Sequence, residues 1–423
     1  MIRPTVARVD LAAIEANLRA VSAFLSGSGA ASPVPRPSDI GHRALTAAPR
    51  VIAVVKANAY GHGAQEVGLA LERAGAAMLA CADIEEGVVL RRAGVKIPIL
   101  VFGALGISDL DGVFEFDLTP TLSTPTAAQN LERAAQKYVA NPFSPVASAF
   151  PPSREASAGH RSLGGGGRRK DYVRSKLRCH LKIDTGMNRL GFRHDNLERT
   201  LPEIANSEHL AIDAVYTHFA TADDPEHPAF AEQRERFETA LATLTTLGIT
   251  PNYCHAANSA ALLRDERVWY DFVRPGLLLY GIVPPPLAAT LALRPALSLH
   301  SRIVHVKGTR PGEGTGYGLD AVGKAPRTIA IVPAGYADGL DRRMAGRAFM
   351  LVRGKRVPVV GSVCMDMTTI DVTGLDVHTG DEVVIVGQQQ GEEIGMREIA
   401  AAIGTIPYEL LCRVGARIER IYD

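Results

Sequence analysis

The feature that most constrains the fold is an alternation of short apolar runs with longer amphipathic segments between residues 51 and 275. The apolar runs have the length of buried strands and lie at 51–55, 78–81, 98–102, 179–183, 212–216 and 253–255. Segments with helical spacing lie between them, at 64–74, 84–93, 125–138 and 228–247. Strand–helix–strand units of this length predict a parallel sheet covered by helices. Periodicity alone leaves two architectures open, a doubly wound sheet and a closed barrel.

The alternating region lies between a helix and a β-rich segment. Asp10 can cap a helix whose apolar residues share one face, namely Leu11, Ile14, Leu18, Val21 and Leu25. After Arg294, short strands separated by Gly and Pro are predicted at 298–306, 327–331, 349–352, 358–360, 369–372 and 382–386. The sequence therefore predicts an α/β domain over 1–292 and a mainly β domain over 293–423.

Two stretches interrupt this pattern and read as insertions. Residues 26–49 are rich in Ser, Gly, Ala and Pro, which is typical of a surface loop. Residues 139–175 contain four consecutive glycines and the basic run Arg168-Arg169-Lys170. This second insertion is interpreted as a solvated loop, with a basic docking patch as the alternative.

Composition excludes several classes of function. Of 423 residues, 46 are Lys or Arg and 45 are Asp or Glu, so the formal charge of +1 provides no pull toward nucleic acid or anionic lipid. The five cysteines are dispersed, which favours a reducing compartment and no metal site. The N-terminus lacks the design of a signal peptide, and prolines interrupt the most apolar stretch, 277–299. We expect a cytoplasmic protein with a small-molecule partner and no membrane contact.

Lys56 is the first candidate for chemistry because it directly follows the fully apolar run 51–55. In parallel α/β folds the carboxyl ends of the strands hold the active site, and a desolvated lysine amine there can form a Schiff base. A lysine in this position is more often an ordinary rim charge. The remaining strand ends decide between the two interpretations.

Polar residues and glycines follow the other predicted strands at the same end. Arg189 and Arg274 provide planar cationic groups for a carboxylate or another acceptor. Ser259 and the backbone amides of Gly276 and Leu277 suit a phosphate. Each signal is weak alone, but together they predict a site for an anionic, phosphate-bearing cofactor beside an amine.

The motifs around these residues resemble those of alanine racemases. Residues 53–63, AVVKANAYGHG, are similar to the family's pyridoxal-phosphate attachment signature. Further similar motifs follow in the family's order, at 180–187 (HLKIDTGM), 216–220 (YTHFA), 257–260 (ANSA), 274–276 (RPG), 316–318 (GYG), 333–339 (PAGYADG), 363–366 (VCMD) and 405–409 (TIPYE). The resemblance covers nearly the whole chain apart from the two insertions.

This resemblance implies an N-terminal (β/α)8 TIM-type barrel, a C-terminal mainly β domain and a homodimer with shared active sites. It also implies that Lys56 carries pyridoxal 5'-phosphate as an aldimine and that Tyr317 of the other subunit is the second acid/base. The implied cofactor-binding residues are Lys56, Tyr60, His218, Asn258, Ser259, Arg274, Gly276, Leu277 and Tyr408. The implied substrate-binding residues are Arg189, Tyr336, Met365 and Asp366, and Lys182 occupies a position that is carbamylated in many members.

The implied activity is the interconversion of L-alanine and D-alanine, which supplies D-alanine for peptidoglycan. Removing the α-proton from one face and returning it to the other calls for two acid/base groups. An arginine beside the pyridine nitrogen leaves that nitrogen unprotonated, which argues against a decarboxylase. A broad-specificity racemase stays open as an alternative. A non-enzymatic pyridoxal-phosphate carrier resembles the barrel alone and would lack residues 293–423.

Overall fold

The computed structural model describes residues 4–27, 48–105, 110–140, 176–288, 291–321 and 324–423. Most of the predicted insertions at 26–49 and 139–175 lies outside these residues. Two compact units make up the chain. The β unit comprises Met1–Phe24, Val55–Gly75 and Gly276–Asp423, and the barrel unit comprises Leu25–Val54 and Ala76–Pro275.

The strands are numbered here in chain order. They are β1 (Val6–Val9), β2 (Arg50–Val54), β3 (Met78–Cys81), β4 (Ile99–Val101), β5 (Thr119–Leu122), β6 (Leu177–Asp184), β7 (Phe192–Arg193), β8 (Leu210–Tyr216), β9 (Tyr253–Asn258), β10 (Phe272–Arg274), β11 (Leu297–Arg302), β12 (His305–Thr309), β13 (Gly314–Thr315), β14 (Asp320–Ala321), β15 (Arg327–Val332), β16 (Phe349–Val352), β17 (Lys355–Val360), β18 (Thr368–Asp371), β19 (Glu382–Gln389), β20 (Glu392–Ile394) and β21 (Glu419–Tyr422).

The five helices that the sequence predicts are confirmed, and the structure adds several shorter ones. The α-helices are Leu11–Gly27, Ala64–Arg73, Ile84–Arg92, Asp111–Glu115, Pro125–Ala140, Leu197–Thr200, Pro202–Ala205, Ala229–Thr246, Ser259–Arg264, Met396–Ile403 and Pro407–Cys412. A further short helical turn, Lys56–Tyr60, is left-handed. Short 3-10 turns lie at Glu266–Val268, Leu277–Tyr280, Tyr336–Asp338 and Arg342–Met344. None of the helices in the described part of the chain is long and apolar enough to cross a membrane.

The barrel unit is a closed ring of parallel strands. Its order is β5-β4-β3-β2-β10-β9-β8-β6, with β7 paired to the end of β6. A further parallel pairing joins β5 to β6, with Thr121 opposite His180, and this closes a ring of eight strands within the described residues. A buried cluster of Ile52, Ala80, Leu100 and Phe272 joins four neighbouring strands. The predicted barrel is confirmed, and the doubly wound alternative is excluded.

Strand β5 was absent from the strands that the sequence predicts. It contains Pro120, which has no N–H to donate and so argues against a strand. In the structure Pro120 lies opposite Val101 of β4, and the next residue, Thr121, pairs with β6. Ring closure therefore depends on a strand whose local sequence disfavours it.

The β unit is built on a ten-stranded sheet. Its main path is β12-β15-β18-β17-β16-β19-β11-β1-β21, and β20 pairs with β19. Strand β1 lies between β11, which is antiparallel to it, and β21, which is parallel to it. The sequence-based boundaries assign residues 1–292 to the barrel domain. Strand β1 lies within those bounds, but both of its edges pair with strands of the β unit.

The predicted first helix is confirmed, and it follows β1. The Asp10 carboxylate accepts a hydrogen bond from the Ala13 amide at 2.7 Å, which caps the helix. Ile14 and Leu18 are buried on its apolar face. The side chain of the fully buried Asn17 donates to the carbonyl oxygens of Leu279 and Arg294 at 3.0 and 2.8 Å. This polar anchor ties the helix to the segment that follows residue 276.

We predict that Val9→Asp destabilises the chain because Val9 is fully buried on β1, between the paired strands β11 and β21. An unpaired buried carboxylate there is expected to lower the free energy of unfolding by about 3–5 kcal/mol. Urea unfolding followed by circular dichroism measures it. Arg8→Gln is the matched control, since the neighbouring Arg8 is exposed and its ion pair with Asp423 is worth under about 1 kcal/mol. Equal losses in the two variants would contradict the placement of β1.

Candidate active site

Arg274, the last residue of β10, lies at the centre of a buried hydrogen-bond network in the barrel unit. Its guanidinium Nη1 donates to Nδ1 of His255 at 2.8 Å. Its Nη2 donates to the carbonyl oxygens of Thr217 and Ala256 at 2.8 and 2.9 Å. Nη2 also lies 3.3 Å from Nδ1 of His218. These contacts fix the guanidinium plane at the carboxyl end of the barrel strands.

The network imposes a direction on its hydrogen bonds. Arginine can only donate, so Nδ1 of His255 accepts and the hydrogen of that ring is on Nε2. Nε2 of His255 then donates to Nδ1 of His180 at 3.0 Å. Burial lowers the pKa of His180 to about 3 and that of His255 well below its usual value. Both imidazoles are therefore neutral near neutral pH.

Arg274 keeps its charge in this environment. Burial lowers its pKa to about 10, which still leaves it protonated at neutral pH. A group that accepts a hydrogen bond from Arg274 therefore faces a cation that does not readily release a proton.

Two cationic side chains lie close to the ring of Tyr216, at the end of β8. The Arg274 guanidinium lies 5.2 Å and Lys182 Nζ 5.6 Å from the centre of its ring. Its hydroxyl is 3.2 Å from Thr121 Oγ1, and its ring stacks on His255 at 4.7 Å. Lys182 is buried on β6, whereas Arg189 is exposed on the segment after it.

Asn258 and Ser259 mark the end of β9 and the start of the next helix. The Asn258 side chain accepts a hydrogen bond from the Ala261 amide at 2.9 Å and so caps the helix. Ser259 is the first helical residue and is buried. Amide N–H groups at the start of a helix favour anions, and the phosphate-binding role of Ser259 stays a prediction.

The lysine segment of the β unit has an unusual backbone. Residues 57–60 follow Lys56, and all four have positive φ between 51° and 53° although none is glycine. L-amino acids disfavour this left-handed conformation. The turn hydrogen-bonds Ala59 N to Val55 O at 2.8 Å and Gly61 N to Ala57 O at 3.0 Å. We call residues 56–60 the lysine turn.

Tyr60 packs against Gly276 at the end of this turn. A Cβ atom added to Gly276 would lie 2.5 Å from the Tyr60 hydroxyl oxygen, so a larger residue would force the Tyr60 ring to shift. The Tyr60 ring is 5.9 Å from the ring of Tyr408 and 5.0 Å from that of Tyr280. Three of the predicted phosphate-binding residues, Tyr60, Gly276 and Tyr408, therefore lie together. Leu277 begins the buried 3-10 turn that follows Gly276.

The remaining predicted residues form a second group in the β unit. The Tyr317 carbonyl accepts a hydrogen bond from Ser362 Oγ at 2.6 Å, and the Met365 carbonyl accepts one from the Ala337 amide at 3.0 Å. Asp366 is paired with Arg417 at 2.7 Å. Exposure is high for large apolar side chains here, at 76% for Tyr317, 51% for Met365 and 43% for Tyr336.

Sequence reasoning did not select His62, His180, His255 or Tyr216 as site residues. The signal that could have found His180 and His255 is a histidine inside an otherwise apolar barrel strand. Such a residue must find a polar partner when it is buried. Spacing gives no means to see that both histidines belong to the Arg274 network, since they lie on different strands.

The buried His62 is expected to make the stability of the chain depend on pH. Burial lowers its pKa from 6.5 to about 4. The unfolded chain therefore binds a proton at a higher pH than the folded chain, so stability is complete above about pH 6.5 and falls as the pH decreases toward about 4. The shift corresponds to about 3 kcal/mol of unfolding free energy. His62→Asn, which cannot titrate there, should lose less stability over this interval in urea unfolding at stepped pH. The same decrease of unfolding free energy with pH in parent and variant would refute this assignment to His62.

Two family models match the chain. "Alanine racemase, N-terminal domain" matches residues 38–284, and "Alanine racemase, C-terminal domain" matches residues 296–422. A relative from Symbiobacterium thermophilum, named alanine racemase, is 38% identical over 423 residues, which is all of this chain and 97% of the relative.

Solved structures give the same result. Alanine racemase from Streptomyces lavendulae is 31% identical with a TM-score of 0.83, over 100% of this chain and 98% of that one. Alanine racemase from Bacillus anthracis, described with bound L-Ala-P, is 32% identical with a TM-score of 0.79, over 100% of this chain and 96% of that one. With both domains matched and similarity along its entire length, this chain belongs to the alanine racemase family.

Proposed function

We propose that this chain interconverts L-alanine and D-alanine with pyridoxal 5'-phosphate as its cofactor. The observation that carries the proposal is the lysine turn, which presents Lys56 beside a tyrosine packed on glycine. An amine with a neighbouring group of hydroxyl and amide donors has the donor set that an aldehyde-bearing phosphate ester requires. The family to which the chain belongs supports the same assignment.

Lys56 is the proposed attachment residue, and several groups hold the phosphate. Tyr60, Tyr408, Ser259 and the amides of Gly276 and Leu277 donate to it, with Asn258 shaping the helix start. The close approach of the Tyr60 hydroxyl to Gly276, which has no Cβ, supports a phosphate-binding group at this place. When bound, pyridoxal phosphate supplies an electron-withdrawing ring that acidifies the α-proton of an amino acid.

Arg274 and His218 are the residues proposed to face the pyridine ring. A donor-only cation leaves the ring nitrogen unprotonated, which limits the electron withdrawal and favours return of the proton over other reactions. The neutral His255 and His180 rings hold the guanidinium in place from behind. This assignment supports a racemase rather than a decarboxylase.

Lys56 and Tyr317 are the proposed pair of acid/base residues. Lys56 Nζ takes or returns the proton on one face of the substrate, and Tyr317 Oη acts on the other. Tyr317 comes from a second copy of the chain in this proposal, so the enzyme is a homodimer. The exposure of Tyr317 and Met365 supports it, since large exposed apolar side chains mark interaction surfaces.

Substrate binding is assigned to a third set of residues. Arg189 and the Met365 backbone hold the carboxylate, with Asp366 beside them and Tyr336 narrowing the entrance in favour of a small side chain. We further propose a carbamylated Lys182, which would replace a buried cation with an anion able to orient Arg189. The burial of Lys182 against the Tyr216 ring supports a modified side chain.

The cellular setting belongs to the proposal as well. All five cysteines are free thiols, which supports a reducing cytoplasmic location. The product D-alanine supplies peptidoglycan synthesis. For the domains we keep the boundary between residues 292 and 293, supported by the family matches that end at 284 and begin at 296.

The activity is tested by chiral chromatography. Purified chain saturated with pyridoxal phosphate is incubated with L-alanine, and with L-serine and L-lysine in parallel. We expect D-alanine to accumulate toward an equal mixture, with much less D-product from the other two. Comparable racemisation of all three would indicate a broad-specificity enzyme, and no D-product with cofactor bound would contradict the proposed activity.

The shared site is tested by mixing two inactive variants. Lys56→Ala and Tyr317→Phe homodimers should each lose activity, whereas heterodimers contain one site with both residues intact. About a quarter to a half of the parental activity should return after subunit exchange, according to the fraction of heterodimer. Exchange is verified by native mass spectrometry. Verified heterodimers without activity would refute a site shared between subunits.

A further inference from the structure

His62 lies six residues after Lys56 and is fully buried. Its Nδ1 is 3.0 Å from the carbonyl oxygen of Ala59 and 2.9 Å from that of Tyr60. Both partners are acceptors, so Nδ1 carries the hydrogen and the tautomer of the ring is fixed. Nε2 is then an acceptor, and it is buried with no hydrogen-bond partner among the described residues.

The lysine turn needs support from outside its own backbone. Its left-handed conformation is unfavourable at four successive residues that have a Cβ. Backbone amides satisfy some of its carbonyl groups, as Gly61 N bonds Ala57 O and Gly63 N bonds Asn58 O. At the end of the turn, side chains donate the hydrogen bonds to the carbonyl groups. His62 donates to the Tyr60 carbonyl, and Arg420 donates to the Gly61 carbonyl at 2.9 Å.

An aromatic stack extends this support to the Tyr60 side chain. The His62 ring stacks on Tyr280 with 4.4 Å between centres, and Tyr280 packs on Tyr60 at 5.0 Å. His62 therefore contacts the lysine turn twice, through its hydrogen bonds to the backbone and through Tyr280 to the Tyr60 ring. Both contacts act on the segment that begins with Lys56.

Packing alone does not account for a histidine at this position. A buried ring nitrogen without a partner costs stability, and a phenylalanine or leucine would fill the space without that cost. Burial also keeps the ring neutral, with its pKa lowered to about 4. The position thus retains a polar group at the expense of stability, and its Nδ1–H is the group that the turn uses.

We propose that His62 is a positioning residue that fixes the lysine turn through Nδ1 and thereby sets the direction of Lys56 Nζ and the Tyr60 hydroxyl toward the cofactor. This inference rests on the proposed function, because it assigns those two groups to pyridoxal phosphate. His62 itself touches neither cofactor nor substrate in this role.

Two isosteric substitutions separate the two ring nitrogens. In His62→Asn the amide nitrogen can occupy the place of Nδ1 and keep the donor. In His62→Gln the amide reaches the place of Nε2 and the donor at Nδ1 is lost. Both variants lose the stacked ring, so a merely structural role would affect both alike. Leu18→Ala, a buried truncation on the first helix, is the control for general destabilisation.

The readouts are the dissociation constant for pyridoxal phosphate, titrated into cofactor-free protein, and kcat and KM for L-alanine of the loaded dimer. For His62→Gln we expect cofactor affinity and kcat to fall about tenfold to a hundredfold, with KM nearly unchanged. For His62→Asn both should stay within about threefold of the parent. Leu18→Ala should lower the thermal midpoint without changing the dissociation constant.

Equal losses in His62→Asn and His62→Gln, or a dissociation constant that follows the thermal midpoint in all three variants, would overturn the proposal. A second measurement is independent of how well the variants fold. In 15N-histidine spectra of the parent holoenzyme, His62 should remain the Nδ1–H tautomer across the neutral pH range, and an Nε2–H tautomer would overturn the proposal. Cofactor binding without racemisation by the parent would refute the proposed activity, while the affinity comparison would still decide the role of His62.

Discussion

The buried guanidinium of Arg274 is the interaction on which the rest of the barrel site depends. A permanent cation inside a protein must be surrounded by acceptors, and here they come from the end of β8 at Thr217 and from β9 at His255 and Ala256. This requirement fixes the tautomer of His255 and, through it, that of His180. One residue that can only donate thus determines where the protons of a whole network lie.

A second constraint is the strained backbone of the lysine turn in the β unit. In the proposed function this turn directs the amine of Lys56 toward the cofactor, and its backbone conformation is locally unfavourable. Strain of this kind persists only where surrounding groups over-determine it. The hydrogen bonds from His62 and Arg420 and the packing of Tyr60 on Gly276 are such groups.

Much of the architecture could be predicted from the sequence because it depends on local periodicity. The first helix with its Asp10 cap, most barrel strands and most of the later β strands follow from spacing and turn residues. Strands β1 and β5 could not be found in this way. Pro120 makes β5 a poor strand by local criteria, and β1 is stabilised by β11 and β21, which are almost three hundred and more than four hundred residues away in the chain.

By itself the sequence determined which residue types stand at the strand ends, and the order of its motifs determined the family. Only the tertiary structure decided how those residues work together. It closed the barrel through β5, brought two histidines from different strands behind Arg274, and packed Tyr60 against a glycine more than two hundred residues away. The physical reason is that the spacing of apolar residues indicates only the secondary structure of the segment in which they lie. Hydrogen bonds and packing between distant segments arise only when the chain has folded.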